Sequence, residues 1–208
     1  RDRVLLERSR RRLASTEARA RQERARGAIV QAAESLVEAA EIRDPYIIGH
    51  HARVSRYAEE ILKVLDPEGV LIPAQSLLLG ASLLDIGKIS VPDAVLNKAG
   101  PLTEDEMKLV HGHPTTGRSL VETVLDDEVA LQVVAWHHER WDGKGYPTGL
   151  IAEGIPLPAR VVAPADVLDA LTSTRAYRDA YSWDEAVRII TEESEGHFDP
   201  QVLTAFQD

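Results

Sequence analysis

The sequence predicts an all-α fold, a helical core preceded by an extended connector helix. Apolar residues recur at three- and four-residue intervals along most of the chain, the spacing that lines one face of a helix. The strict alternation of a half-buried strand is scarce, and no internal repeat is visible. With 208 residues, 44% of them hydrophobic, the chain is long enough for one well-buried core plus an extension.

Leu6, Leu13 and Ala20 recur every seven residues among good helix formers, with no proline or glycine between them. Residues 1–27 are therefore read as an Arg-rich connector helix, either a coiled-coil stalk that pairs two copies into a homodimer, the reading favoured here, or a solvated helix with a charged face and no pairing role. Ile29, Ala33, Leu36, Val37 and Ala40 keep the helical spacing, so the connector runs into the first helix of a domain spanning residues 28–208. After Asp44-Pro45, the positions Val54, Ala58, Ile61, Leu62 and Leu65 mark a second helix with His50 and His51 near its start. Residues 73–84 form an apolar helix that stops at Asp85-Ile86-Gly87-Lys88, and Val91-Pro92 and Gly100-Pro101 bracket a loop. Thr103 with Glu106 has the form of a capping box, opening a helix that carries Val110, His111 and His113 up to Pro114. Residues 126–140 form another apolar helix that delivers His137 and His138, and residues 147–158 form a long loop. A helix resumes near Ala159 with Asp166, Asp169 and Leu171; two more follow, from Ser182 through Ile190 and near Gln201.

Composition narrows the function classes. The chain has no cysteine, which removes disulfides and thiolate sites and leaves His, Asp and Glu to hold any metal. No segment approaches the ~20 consecutive apolar residues that span a bilayer, and the charged first residues do not read as a signal peptide. These features fit a cytoplasmic protein, and a start at Arg1 reads as a fragment of a longer chain. The net charge of −10 hides an asymmetry: residues 1–26 hold ten Arg against four acids, +6, leaving −16 for residues 27–208. The arginines alternate with Glu, Ala and Leu, and no aromatic is interleaved for base stacking, so nucleic acid is not an expected partner.

The most informative stretch runs from His137-His138-Glu139-Arg140-Trp141-Asp142 into Gly143-Lys144-Gly145-Tyr146-Pro147. Adjacent side chains on a helix diverge by about 100°, so neighbouring histidines can meet one metal only near a helix end. The glycines and the proline supply that end and leave room for a substrate. With His50, Asp85, His113 and Asp166, the two histidines make six candidate ligands spread over five helical segments. All-α domains assemble metal sites in this way, from inward-facing residues of several helices.

The ordered motifs are Asp44-Pro45-Tyr46 before His50, Arg53-Val54, Asp85-Ile86-Gly87-Lys88, His113-Pro114, the run from His137 to Pro147, and Asp166-x-x-Asp169-Ala170-Leu171-Thr172. Over roughly residues 28–206 they resemble the HD-GYP family, a branch of the HD-domain metal-dependent phosphohydrolases. The resemblance implies an HD-domain bundle of about seven helices around a centre of two or three divalent metals. It also implies hydrolysis of cyclic di-GMP and a place behind an upstream sensory or receiver domain. One metal would be held by His50, the namesake histidine, Asp85 and Asp166; the other would take Asp85 as a bridge with His113, His137 and His138. Lys88 would work beside Asp85 in catalysis and contact the scissile phosphate. Arg175 and Arg178 would grip substrate phosphates, with surface charge as their rival reading, and Tyr146 would bind substrate or anchor its loop.

One position departs from the pattern: where the family has His-Asp, this chain has Leu84-Asp85. Leucine has no lone pair, so the first metal keeps at most one nitrogen and two carboxylate donors. Among manganese, iron, magnesium and zinc, its preference moves towards manganese or magnesium. The expectation is a domain that binds metal and cyclic di-GMP with phosphodiesterase activity weakened or lost. The alternatives are a working phosphodiesterase, with water or a further carboxylate replacing the imidazole, and a non-catalytic signalling scaffold. His51 and His111 are expected at the surface or behind the ligands, and His197 in solvent. Asp169 is expected to orient a ligand or serve structure, and Glu139, Trp141 and Asp142 to pack their loop.

Overall fold

The computed structural model describes residues 16–17, 20–21, 24, 27–28, 30–32, 35–37, 48–174 and 179–208. The described residues from 16 to 37 are all helical. Leu6, Leu13, Ile29, Ala33, Ala40 and the Asp44-Pro45-Tyr46 motif lie outside the described residues. Nine further α-helices follow among the described residues: α1 (His50–Leu65), α2 (Ala74–Leu83), α3 (Asp93–Leu96), α4 (Glu104–His111), α5 (His113–Glu122), α6 (Glu128–Trp136), α7 (Leu157–Thr172), α8 (Trp183–Arg188) and α9 (Pro200–Gln207). Short 3-10 turns cover Ile86–Ser90 and Ala152–Gly154, a π turn covers Ile189–Glu193, and no strand occurs among the described residues.

The all-α expectation holds, with local differences that have simple causes. The capping box forms: Thr103 Oγ1 accepts from the Glu106 N–H at 3.3 Å and Glu106 Oε2 from the Thr103 N–H at 2.7 Å. The helix it opens ends at His111, and His113 begins α5 rather than continuing α4. Pro114 has no N–H to donate, which suits the first turn of a new helix, and Gly112 occupies the break. In the segment before α1, Val37 is buried but Leu36 is 53% exposed, so the expected apolar face turns away from Leu36.

Helix α1 packs on α2, α7 and α9, and α6 packs on α2, α5 and α7. Between them lies the main core, which includes Val54, Ala58, Leu77, Ala81, Val133, Val161 and Val202. Leu84, at the end of α2, belongs to this core and is fully buried. Val37, Leu83, Ile86, Val121 and Val134 form a second cluster, and Leu168, Ala186, Ile190 and Phe198 a third.

Two close approaches fix the geometry around the end of α2 and the loop after α6. A Cβ on Gly87 would collide with the His113 carbonyl and the Gly117 nitrogen, so only glycine lets the 3-10 turn press against α5. A Cβ on Gly145 would likewise strike backbone atoms of His138, Glu139 and Arg140. The buried Glu139 carboxylate then clamps the loop by accepting from the N–H groups of Thr148, Gly149 and Leu150 at 2.7, 3.0 and 3.0 Å. Trp141 N–H donates to the His197 carbonyl at 2.9 Å and Asp142 N–H to Gly196 at 2.8 Å, stitching the loop to the segment before α9.

Removing a buried leucine leaves a cavity that neighbours fill only in part. Leu84→Ala is expected to lower unfolding stability by about 2–5 kcal/mol, measured as a shift of the urea midpoint. An unchanged midpoint would contradict the place of Leu84 in the core.

Candidate metal centre

The ends of helices, where the backbone departs from its regular turn, deliver most of the candidate ligands. His50 and His51 open α1, directly after Gly49 in the left-handed conformation (φ 72°). Asp85 follows α2, His113 opens α5, and His137 and His138 follow the last residue of α6. Asp166 and Asp169 lie one helical turn apart within α7. His50, Asp85, His113, His137, His138 and Asp166 line one cavity of about 520 Å³.

Asp85 stands at the middle, and its two oxygens face different neighbours. Oδ1 lies 3.2 Å from His113 Nε2 and 4.0 Å from His137 Nε2. Oδ2 lies 2.7 Å from Lys88 Nζ, 3.7 Å from His50 Nε2 and 3.8 Å from His51 Nε2. Asp166 spans the same divide, with Oδ1 3.3 Å from His50 Nε2 and Oδ2 3.9 Å from His138 Nδ1. Two groups of converging donors result: Asp85 with His113, His137 and His138, and Asp85 with His50 and His51.

Hydrogen bonds behind the imidazoles decide which nitrogen faces the cavity. Only N–H can meet a carbonyl or carboxylate oxygen, so His113 Nδ1 donates to the Val110 carbonyl at 2.7 Å and His137 Nδ1 to those of Val133 and Val134 at 3.1 Å. His50 Nδ1 donates to Asp169 Oδ2 at 2.7 Å, and Arg53 Nη2 braces the same oxygen at 3.1 Å. Each Nε2 is thereby aimed inward, and those of His113 and His137 stand 3.3 Å apart. Asp85 Oδ1 is buried beside them, and no described N–H or O–H meets it in hydrogen-bonding geometry. Inward nitrogens and carboxylate oxygens at these separations, braced from behind, fit divalent cations.

The electrostatics agree with that donor set. Burial pushes His137 down to about 4, with His113 acting in the same direction, and holds His138 well below its ordinary value. Both imidazoles are therefore neutral near pH 7, as ligands must be. Burial would raise the Asp85 carboxyl, but Lys88, His113 and His51 outweigh it and hold it well below the usual carboxylate range. Burial would lower His50, yet Asp166, Asp169 and Asp85 raise it to about 9, so a cation binding there would have to displace a proton from this residue.

The other sequence expectations divide. Lys88, Tyr146, Arg140 and Lys144 line the cavity, giving it a cationic rim. Tyr146 stacks on His111 with ring centroids 3.9 Å apart, and its hydroxyl is pushed up by burial, Asp85 and Asp166. Arg175 and Arg178 lie outside the described residues. His51, given a surface or supporting place in the sequence, is buried at 6% exposure and faces Asp85. His197 is not in solvent: it is half-buried, stacks on Phe198 with centroids 4.1 Å apart and lines the cavity. No sequence motif marked it, because only the backbone pairing with the 141–142 segment brings it there.

Burial, with Arg140 beside it, lowers His197 from 6.5 to about 4. A histidine that resists protonation when folded stabilises the fold fully above about pH 6.5, and that contribution is lost as pH falls through about 4. A His197→Gln variant is expected to lose less stability than the parent between pH 7 and pH 4 in urea titrations. Identical acid sensitivity would count against this placement.

A family model described as an HD domain matches residues 34–202. A cyclic di-GMP phosphodiesterase of Vibrio cholerae serotype O1 is 40% identical over 185 residues, covering 83% of this chain and 38% of that protein. The cyclic di-GMP phosphodiesterase response regulator RpfG of Xanthomonas campestris pv. campestris is 45% identical over 129 residues, covering 61% of this chain and 34% of that protein. The chain thus spans well under half the length of these relatives. In fold it is similar to a cyclic GMP-AMP specific phosphodiesterase of V. cholerae, with a TM-score of 0.66 at 19% identity over 86% of this chain and 48% of that one. The family match covers most of the helical bundle and every candidate ligand, and the chain belongs to the HD-domain family, in its HD-GYP branch.

Proposed function

We propose that residues 28–208 form a metal-dependent phosphodiesterase domain that hydrolyses cyclic di-GMP. In this reading residues 1–27 connect it to an upstream sensory or receiver domain and pair two chains, and the protein works in the cytoplasm. The observation that carries the reading is Asp85: one buried carboxylate faces separate histidine groups with its two oxygens, the arrangement a bridging ligand requires. The relatives named above support this choice of substrate, and the cationic rim suits a phosphodiester.

Bound at these groups, divalent cations would lower the pKa of a water and offset charge on the phosphoryl group in the transition state. The chain's own residues hold and orient the reactants. Asp169 and the backbone carbonyls of Val110, Val133 and Val134 keep each imidazole turned inward. Lys88, 22% exposed and paired with Asp85, is placed to meet a phosphate oxygen and steady the leaving group. The Tyr146–His111 stack gives the cavity a flat wall against which a base can lie.

A second reading rests on Leu84, which is sealed in the core and supplies no donor. There the first metal is weak or absent, and the domain binds cyclic di-GMP while cleaving it slowly. Elemental analysis and turnover separate the two. The leading reading expects two metals per chain, release of linear product from cyclic di-GMP with manganese, loss of that rate with a chelator, and a drop of at least ~10–100-fold in His137→Gln. Two bound metals without turnover would refute it. Leu84→His raises metal content and rate under the second reading and neither under the first.

A further inference from the structure

We propose that His51 is itself a metal ligand, completing with His50, Asp85 and Asp166 a site of two nitrogens and two oxygens. The ligand set implied by the family resemblance gives His51 no role. The inference rests on the two-metal reading of the Asp85 centre and deepens it.

The placement of the imidazole comes first. His51 is the second residue of α1, and its 6% exposure contrasts with its exposed neighbour Ala52. Its Nε2 and that of His50 converge on one atom, Asp85 Oδ2, at 3.8 and 3.7 Å. The donor atoms of His50, His51 and Asp85 all lie within 4.8 Å of one another, and His50 Nε2 is a further 3.3 Å from Asp166 Oδ1. Donors bonded at about 2.1 Å to one tetrahedral ion stand about 3.4 Å apart, close to the 3.7 and 3.8 Å from the two imidazoles to Asp85 Oδ2 and the 3.3 Å from His50 Nε2 to Asp166 Oδ1.

Adjacent residues of a regular helix would point about 100° apart, yet these two reach the same oxygen. They do so because His50 is the first helical residue after a left-handed Gly49, and the rings meet edge to face with centroids 5.0 Å apart. The second histidine pair follows the same principle at the other kind of helix end: His137 and His138 leave the C-terminus of α6 with centroids 4.1 Å apart. Each group of donors around Asp85 thus contains one vicinal histidine pair.

The placement also resolves the deficit at Leu84. That side chain turns into the core at the end of α2, while the next residue, Asp85, turns into the cavity. Helix α1 packs directly on α2 and brings His51 to the same carboxylate from the opposite element. The nitrogen that position 84 does not supply arrives from position 51. With two nitrogens the site suits zinc or iron as well as manganese, rather than only the manganese or magnesium expected from Leu84 alone.

The test counts metals rather than turnover. Chelator-treated protein is reloaded with manganese or zinc, and metal per chain is measured for the parent, His51→Gln and His51→Asn, with thermal unfolding of the metal-free forms as the folding control. The parent is expected to hold two ions, and each variant to retain the ion at His113, His137 and His138 while binding the other at least ~10-fold more weakly. Two ions bound with parental affinity in both variants would overturn the assignment. Should a variant fail to fold, the unaltered chain decides: in zinc-loaded, 15N-histidine-labelled protein the His51 Nε2 resonance takes the shift of a metal-bound nitrogen, and an unmoved resonance overturns the proposal. Two metals lost to one by His51→Gln, in a chain that never cleaves cyclic di-GMP, would refute the proposed activity and leave the ligand standing. Cleavage with His51 dispensable for metal would do the reverse.

Discussion

One buried carboxylate organises this domain. Asp85 sits almost fully out of water, where an isolated negative charge is costly, and the fold surrounds it with imidazole nitrogens and the Lys88 ammonium. Five histidines and a second carboxylate cannot be packed around it as ordinary core. The inward nitrogens of His113 and His137 lie 3.3 Å apart, and among the described residues no hydrogen-bond donor satisfies Asp85 Oδ1. Such a constellation is electrostatically suited to a cation, in line with the metal-dependent reading proposed above.

The rest of the fold follows from bringing helix ends to that carboxylate. Regular helices aim neighbouring side chains apart, whereas ends allow two in succession to meet one point. Accordingly α1 and α5 begin at the centre, α2 and α6 end at it, and only α7 passes by with its mid-helix acids. Gly87 lets the turn carrying Asp85 touch the start of α5, and Glu139 and Gly145 hold the loop after α6 against its own helix. Stability and chemistry are divided between adjacent residues: Leu84 feeds the core and Asp85 the cavity.

The surroundings bias what can enter. Lys88, Arg140 and Lys144 at the rim favour an anion, although Arg140 is held by a two-point bond to Asp142 and Lys144 lies 3.5 Å from the same carboxylate. That pairing keeps the rim ordered and moderates its charge, leaving Lys88 as the cation nearest the buried oxygens. The stacked Tyr146 and His111 rings add an apolar wall.

Much of this was legible in the chain. Helical spacing, the Thr103–Glu106 capping box and the proline and glycine punctuation located most elements, because these signals act through the local backbone. His50, Asp85, His113, His137, His138 and Asp166 stood out because each lies in a motif of several residues. The exposure of Leu36 and the burial of His197 were not legible, since each depends on what a distant element covers, whereas the split at Gly112 has a local cause in Gly112 and Pro114. His51 is the sharpest case. By itself the sequence determined the helices and picked out the candidate ligands. Only the tertiary structure decided that His51 turns to Asp85, because that direction is set by a left-handed turn at Gly49 and by the packing of α1 on α2, neither of which nearest-neighbour spacing encodes.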